Sequence, residues 1–157
     1  MLHVPELRQQ HGLRLIAPAN RSIPASTVIP VLVYPDVRAA VAFLSDAFGF
    51  EERVRIGEDH RAQLAYEGGG LIVGDVRGSA VAPRADEHSV SVMVRVADAR
   101  AHCDWARAAG ATILMEPTDY EYGERQYHCQ DPFGHRWTFS ETLADVAPED
   151  WGGISVS

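Results

Sequence analysis

Two short stretches carry side chains whose types and spacing could do chemistry. Ser91, Met93 and Arg95 alternate with valines in Ser89–Val96, and Arg136, Thr138 and Ser140 alternate with Trp137 and Phe139. Period-two alternation places one set on each face of a strand, so the hydroxyls, the thioether and the guanidinium share faces and the valines and aromatics face a core. Such a face can hold an organic molecule by contact and a few hydrogen bonds. It has no carboxylate, imidazole or thiolate with which to grip a transition metal. The segment Asp131-Pro132-Phe133-Gly134 reads as a turn: Asp bonds back to the backbone, Pro presets φ, and Gly closes it. Read as a four-residue turn, it sets Thr138 opposite Tyr127 and Arg136 opposite Cys129, so Tyr127 joins the same face and His128 falls on the helix side. Val31, with Ile29 and Val33, supplies an apolar wall from an earlier strand. The candidate ligand-binding set is Val31, Ser91, Met93, Arg95, Tyr127, Arg136 and Thr138, in a cavity with one apolar and one mixed wall.

Other reactive residue types carry less. Nothing beside Cys129 would lower its pKa, so it reads as an inert buried thiol. Cys103 and Cys129 do not form a CxxC pair, and a reduced, cytoplasmic setting follows. Of the histidines, His3 and His11 lie in an N-terminal arm, His102 on a helix, and His135 after the turn glycine. His60, His88 and His128 do not share a face, which disfavours a His-based metal site. Trp105 and Trp137 read as core. Met93 could equally fill a core, and Arg95 and Arg136 could reach solvent.

These residues need elements to position them. Thr27–Tyr34 is a β-branched run, Asp36 is a helix N-cap, and Val37, Val41, Leu44 and Phe48 form one helical face that Gly49 ends. Strands follow at Phe50–Ile56, His60–Tyr66 and Leu71–Val76. The pattern then recurs: strand Ser89–Val96, cap Asp98, a helix with Ala101, Trp105 and Ala108 buried, Gly110, and strands Thr112–Met115, Arg125–Gln130 and His135–Ser140. Caps and terminating glycines repeat at an offset of about 60 residues, the mark of a duplicated βαβββ unit. The expected organisation is an irregular arm (1–26), a first module (27–76), a linker (77–87), a second module (88–141) and a tail (142–157). The fold class is α+β, two tandem βαβββ modules forming a concave mixed-sheet cavity, with helices outside and the concave face between.

The duplication and the motifs Tyr122-Gly123-Glu124-Arg125, Asp131-Pro132-Phe133-Gly134-His135 and Trp137 resemble the vicinal oxygen chelate (glyoxalase/bleomycin resistance/dioxygenase) superfamily. The tail Leu143–Asp150 adds a resemblance to its PhnB-like branch. The resemblance implies a divalent metal in enzymatic members, held from the first and last strands of each module. Those positions are Ile29, Ser91 and Thr138 here, with the fourth near Val73 or, two residues on, Asp75. None but Asp75 offers a strong metal donor. The resemblance therefore implies a metal-independent protein that sequesters a small organic ligand, an antibiotic being one class, with no cofactor. The alternative is a glyoxalase-like lyase, isomerase or dioxygenase, using a divalent metal or acid–base chemistry through Tyr127, His128 or Arg136. A homodimer is implied in either case.

Composition narrows the partners. The 157 residues carry 14 basic and 22 acidic side chains, for a formal charge of −8. That charge repels nucleic acid and anionic membranes and favours a cationic ligand. No apolar run is long enough to span a bilayer.

Overall fold

The structure is a computed structural model that describes residues 18–156. The first 17 residues of the expected arm, with His3 and His11, lie outside the described residues. The first module runs β1 (Val31–Tyr34), α1 (Val37–Phe43), β2 (Glu51–Ile56), β3 (Arg61–Tyr66) and β4 (Gly69–Asp75). The second runs β5 (Ser91–Arg95), α2 (Ala99–Ala108), β6 (Thr112–Asp119), β7 (Glu124–Gln130) and β8 (Arg136–Thr142). Each module is a four-stranded sheet of identical topology, β1-β4-β3-β2 and β5-β8-β7-β6. In each, the first and last strands pair in parallel and the other neighbours antiparallel. This is the expected α+β duplication.

Both helices begin where an aspartate caps them. The Asp36 carboxylate accepts the Ala39 N–H at 2.9 Å, and that of Asp98 accepts the Ala101 N–H at 3.0 Å. Each carboxylate satisfies a backbone donor that the first helical turn leaves unpaired. α1 continues into a π-helical turn at Leu44–Phe48, and Gly49 ends it at φ 88°. Val37, Val41, Leu44 and Phe48 are all buried, as their spacing predicts. The second helix departs from expectation. It buries Ala99, Cys103 and Ala106, while Trp105 is 68% exposed. Helical spacing fits either set equally. The small set lets the helix lie close to the sheet, where an indole would hold it off.

The modules meet through their helix-side faces. Phe48 and Phe50 of the first pack on Trp137 of the second, with ring centroids 5.1 and 5.7 Å apart, and Phe48 lies 4.8 Å from Phe139. These aromatics belong to one buried cluster drawn from both modules. The end of the π-helical turn and the residue before β2 thus sit on the helix-side face of β8. The two-module fold stands as expected, and the placement of the helices differs from expectation, since α2 lies against the π-helical turn of the first module and not on the outside. The shared core lies between the modules, and the opposite sheet faces, carrying Val31 and Met93, turn outward.

Two polar seams fix this arrangement. Asp131 is 2% exposed. One carboxylate oxygen accepts the Tyr34 hydroxyl at 2.7 Å and the Trp137 indole N–H at 3.1 Å. The other accepts the Phe133 and His135 amides, both at 3.0 Å. The His135 ring donates to the Val33 carbonyl at 2.7 Å. At the second seam His102 Nε2 lies 3.0 Å from the Phe48 carbonyl, which can only accept. The proton therefore sits on Nε2, and Nδ1 accepts the Tyr127 hydroxyl. Trp105 donates its indole N–H to the Asp46 carbonyl.

The end of the N-terminal arm lies on the outer face of the first sheet. Gln63, 4% exposed, donates to the Ser22 carbonyl at 2.7 Å, and Arg53 donates to the Arg21 carbonyl at 3.0 Å. Pro24 sits so close over β4 that a Cβ on Gly70 would come within 2.9 Å of its ring.

Removing the Asp131 carboxylate leaves several buried donors without an acceptor. Asp131→Ala is expected to lower stability by roughly 3–5 kcal/mol in urea unfolding, with Asp131→Asn intermediate. An unchanged midpoint in Asp131→Ala would refute the role given to this seam. Burial also holds the His102 pKa below that of a free histidine. The unfolded chain then binds the extra proton first, so stability is full above the ordinary histidine pKa of about 6.5 and falls as pH drops below it. His102→Gln keeps one donor and one acceptor and is expected to flatten part of that slope, read as the melting temperature against pH.

Candidate functional site: an inter-module cleft and the polar face of the second sheet

A cleft of about 720 Å³ opens between the modules. One wall is the segment Glu67–Gly70 at the β3–β4 turn with Val28 and Pro30 from just before β1, and the other is Val92–Val96, along β5 and just past its end. Phe50 and Leu71 line it in the first module, and Thr142 and Glu141 in the second. Arg95 donates to the Thr142 hydroxyl at 3.1 Å, which braces the guanidinium at the cleft. Glu141 is already engaged, accepting the Ala99 N–H at 2.8 Å at the start of α2. Met93 is 60% exposed. A largely hydrocarbon lining, with the Arg95 guanidinium on one wall and the Glu67 carboxylate on the other, suits an amphipathic organic molecule whose hydrogen-bond acceptor meets Arg95.

β5 and β8 run in parallel register, Ser91 with Arg136, Met93 with Thr138 and Arg95 with Ser140. These residues share the outward face of the second sheet. Of the seven sequence-predicted residues, five therefore lie on one face: Ser91, Met93, Arg95, Arg136 and Thr138. Only Met93 and Arg95 reach the cleft itself. Val31 is 52% exposed on the outward face of the other sheet, away from this group.

Tyr127 is the correction. It pairs with Phe139, is fully buried on the helix side, and bonds to His102. Burial raises its hydroxyl pKa far above the ordinary value. The residue on the outward face is His128, opposite Thr138, with Nδ1 2.6 Å from the threonine hydroxyl. The cause is loop length. Gln130 pairs with Arg136, and the Asp131 N–H bonds to the His135 carbonyl at 3.0 Å, so the connection has five residues instead of four. One extra residue reverses the facing of everything upstream. The clue in the sequence was Asp131 itself, whose carboxylate can reach the amide four residues on and draw His135 into the loop.

The same face carries a polar chain that sequence reading missed. Tyr122 donates to Gln126 at 3.1 Å, Gln126 to Ser140 at 3.0 Å, and Ser140 to Glu124 at 2.9 Å. Tyr122 also packs on Trp151 of the tail, 5.2 Å between ring centroids. Burial lowers the His128 pKa, which favours the neutral imidazole. Burial raises the Cys103 thiol to about 11 and pushes Cys129 up as well, so neither is a thiolate nucleophile near neutrality.

The four family metal positions do not fit a transition metal. Val73 is fully buried on the core side of β4, and Ile29 has no donor atom. The Thr138 hydroxyl is taken by His128, and Ser91 is an isolated exposed hydroxyl. Asp75 is bonded to His60 at 3.0 Å and Arg77 at 3.1 Å. Among the described residues, no three His, Cys, Asp or Glu side chains converge as a metal centre requires. No helix among them is long and apolar enough to cross a membrane.

Comparison with known proteins agrees with this architecture. TioX from Micromonospora sp. ML1 is 33% identical and superposes with a TM-score of 0.63, covering 75% of this chain and 99% of its own. An uncharacterised protein of Mycobacterium tuberculosis H37Rv is 29% identical over 127 residues, covering 74% of this chain and 75% of its own. The fosfomycin resistance protein FosX of Listeria monocytogenes, in complex with Mn(II) and dihydroxypropylphosphonic acid, is similar in fold alone, at 14% identity and a TM-score of 0.60 over 77% of this chain and 94% of its own. The family model described as Glyoxalase/Bleomycin resistance protein/Dioxygenase superfamily matches residues 27–139. With the duplicated βαβββ unit in both sheets, that match places the chain in the glyoxalase/bleomycin resistance/dioxygenase superfamily.

Proposed function

We propose that this protein binds a small amphipathic organic molecule without a metal, holding its apolar part in the inter-module cleft and an acceptor group at Arg95. The observation that carries the reading is the cleft itself: hydrocarbon from both modules, with the exposed thioether of Met93 and the braced guanidinium of Arg95 at its side. Reversible binding by contact and hydrogen bonds is the chemistry such a lining supports. An antibiotic is one class of molecule with this shape and polarity. The Tyr122–Arg125 and Leu143–Asp150 motifs support a PhnB-like placement within the superfamily. Two free, buried cysteines are compatible with a cytoplasmic setting.

The reading includes a homodimer. β1 and β5 are both edge strands, and their outward neighbourhoods expose Val28, Val31, Val90 and Met93 at 52–81%. Exposed apolar side chains along open edges favour a covering partner. A second copy would cover these exposed side chains along the open edges. An acid–base enzyme is the second reading. It is favoured by one observation, the neutral His128 imidazole bonded to Thr138 on the outward face, which could accept a proton from a bound substrate.

The dye 8-anilinonaphthalene-1-sulfonate combines an apolar ring system with an acceptor and serves as a probe. Saturable one-to-one binding, unchanged by EDTA and weakened about tenfold in Arg95→Ala, is expected from loss of one charge-assisted hydrogen bond. Met93→Glu should weaken it further without altering the melting temperature. Equal affinity in all three proteins would refute the cleft. Turnover that requires stoichiometric metal would replace the binding reading with an enzymatic one. Light scattering is expected to give twice the chain mass, and a monomer at micromolar concentration would remove the dimer.

A further inference from the structure

A second concavity adjoins the cleft at Tyr66 and Glu67, which line both. It encloses about 530 Å³ between the end of the π-helical turn, the end of β3 and α2. Its lining combines two carboxylates, Glu51 and Glu67, with the aromatic side chains of Trp105 and Tyr66, and the buried Phe48 lies beneath. No lysine or arginine is among the residues that line it. His102 also reaches it, but that imidazole is neutral, with both nitrogens engaged by Phe48 and Tyr127.

From this composition we propose that the groove is a second ligand site, specific for an organic cation of the quaternary ammonium class. Aromatic faces attract a cation through their quadrupoles, and a bulky alkylammonium, weakly hydrated, loses little on leaving water. The carboxylates supply charge complementarity that the rings alone lack. Trp105 is held in place for this role. It is 68% exposed, yet its indole N–H is tied to the Asp46 carbonyl, so its face is fixed beside the groove at little further ordering cost. Glu67 stands in a backbone conformation against its own preference. It has φ 49°, the only positive φ at a non-glycine position among the described residues, although three glycines follow it directly. A glycine at 67 would relieve that strain and lose the carboxylate. The carboxylate stands close enough to Tyr66 that, after burial, its charge helps raise the phenol's pKa. Tyr66 and Glu67 also line the main cleft, where Arg95 adds a cation that this groove lacks.

Choline and its neutral isostere 3,3-dimethylbutan-1-ol are the probes. Titration followed by two-dimensional NMR should show saturable shifts for choline at the Trp105 indole N–H and the amides of Gly49 and Glu67. The isostere should produce none at the same concentration. Glu67→Gln is expected to weaken choline binding about threefold and Trp105→Ala by a similar factor, in line with exposed cation–π and ion-pair interactions. Trp105→Phe keeps a ring and should retain most of the affinity, which separates loss of the site from loss of the Asp46 contact. Glu67→Gly should raise the melting temperature while weakening choline, a split that a purely structural role for Glu67 would not give. Absence of saturable binding, equal binding of the neutral alcohol, or shifts confined to Met93–Val96 would each overturn the proposal.

Discussion

The buried carboxylate of Asp131 is the interaction on which the arrangement of the molecule depends. A charge so far from water is tolerated only when donors surround it, and Asp131 has four. Those donors come from three places: Tyr34 at the end of β1, the amides of its own loop, and Trp137 on β8. The first module is thereby pinned to the second at one point, with a geometry that hydrophobic contact alone does not impose. The same carboxylate draws the His135 amide into the loop and makes the connection five residues long. One side chain thus sets both the mutual placement of the sheets and which residues of β7 face outward.

The second seam works differently. Around His102 the polar groups are neutral, and their net contribution to stability is modest. Their role is orientation. The Phe48 carbonyl and the Tyr127 hydroxyl sit in different modules and can share one imidazole only when the π-helical turn and α2 lie side by side. The aromatic contacts of Phe48 with Trp137 and Phe139 then fill the space beside it. Two separated polar pins and one aromatic core between them leave the modules little freedom to rotate. The cleft between β5 and the Glu67–Gly70 turn has a defined shape for that reason, since its walls belong to different modules.

Much of this was legible from residue order. The caps Asp36 and Asp98, the glycines Gly49 and Gly110, and the alternation in Ser89–Val96 all state local rules, and local rules survive packing. Legibility failed where a choice depended on something distant. The α2 period admits two faces, and the fit of Ala99, Cys103 and Ala106 to the sheet decides between them. The facing of Tyr127 and His128 depends on a single loop residue. The cleft draws on Val28, Glu67 and Arg95, which no spacing rule connects. The shared core between the modules was hidden for the same reason, because the bulk of Phe48, Phe50, Trp137 and Phe139 announces burial without naming the partner.

The positions at which related folds can hold an ion bear hydrocarbon and hydroxyl groups here, and this alters more than the ion. A metal site needs charged donors held in the open, and such donors make a face strongly polar. Ile29 in the first module and Ser91 and Thr138 in the second carry no such charge. The hydroxyls still give direction, since Thr138 is oriented by His128 and Ser140 by Gln126 and Glu124. Weak directional bonds on a mostly apolar ground favour recognition that is selective and reversible.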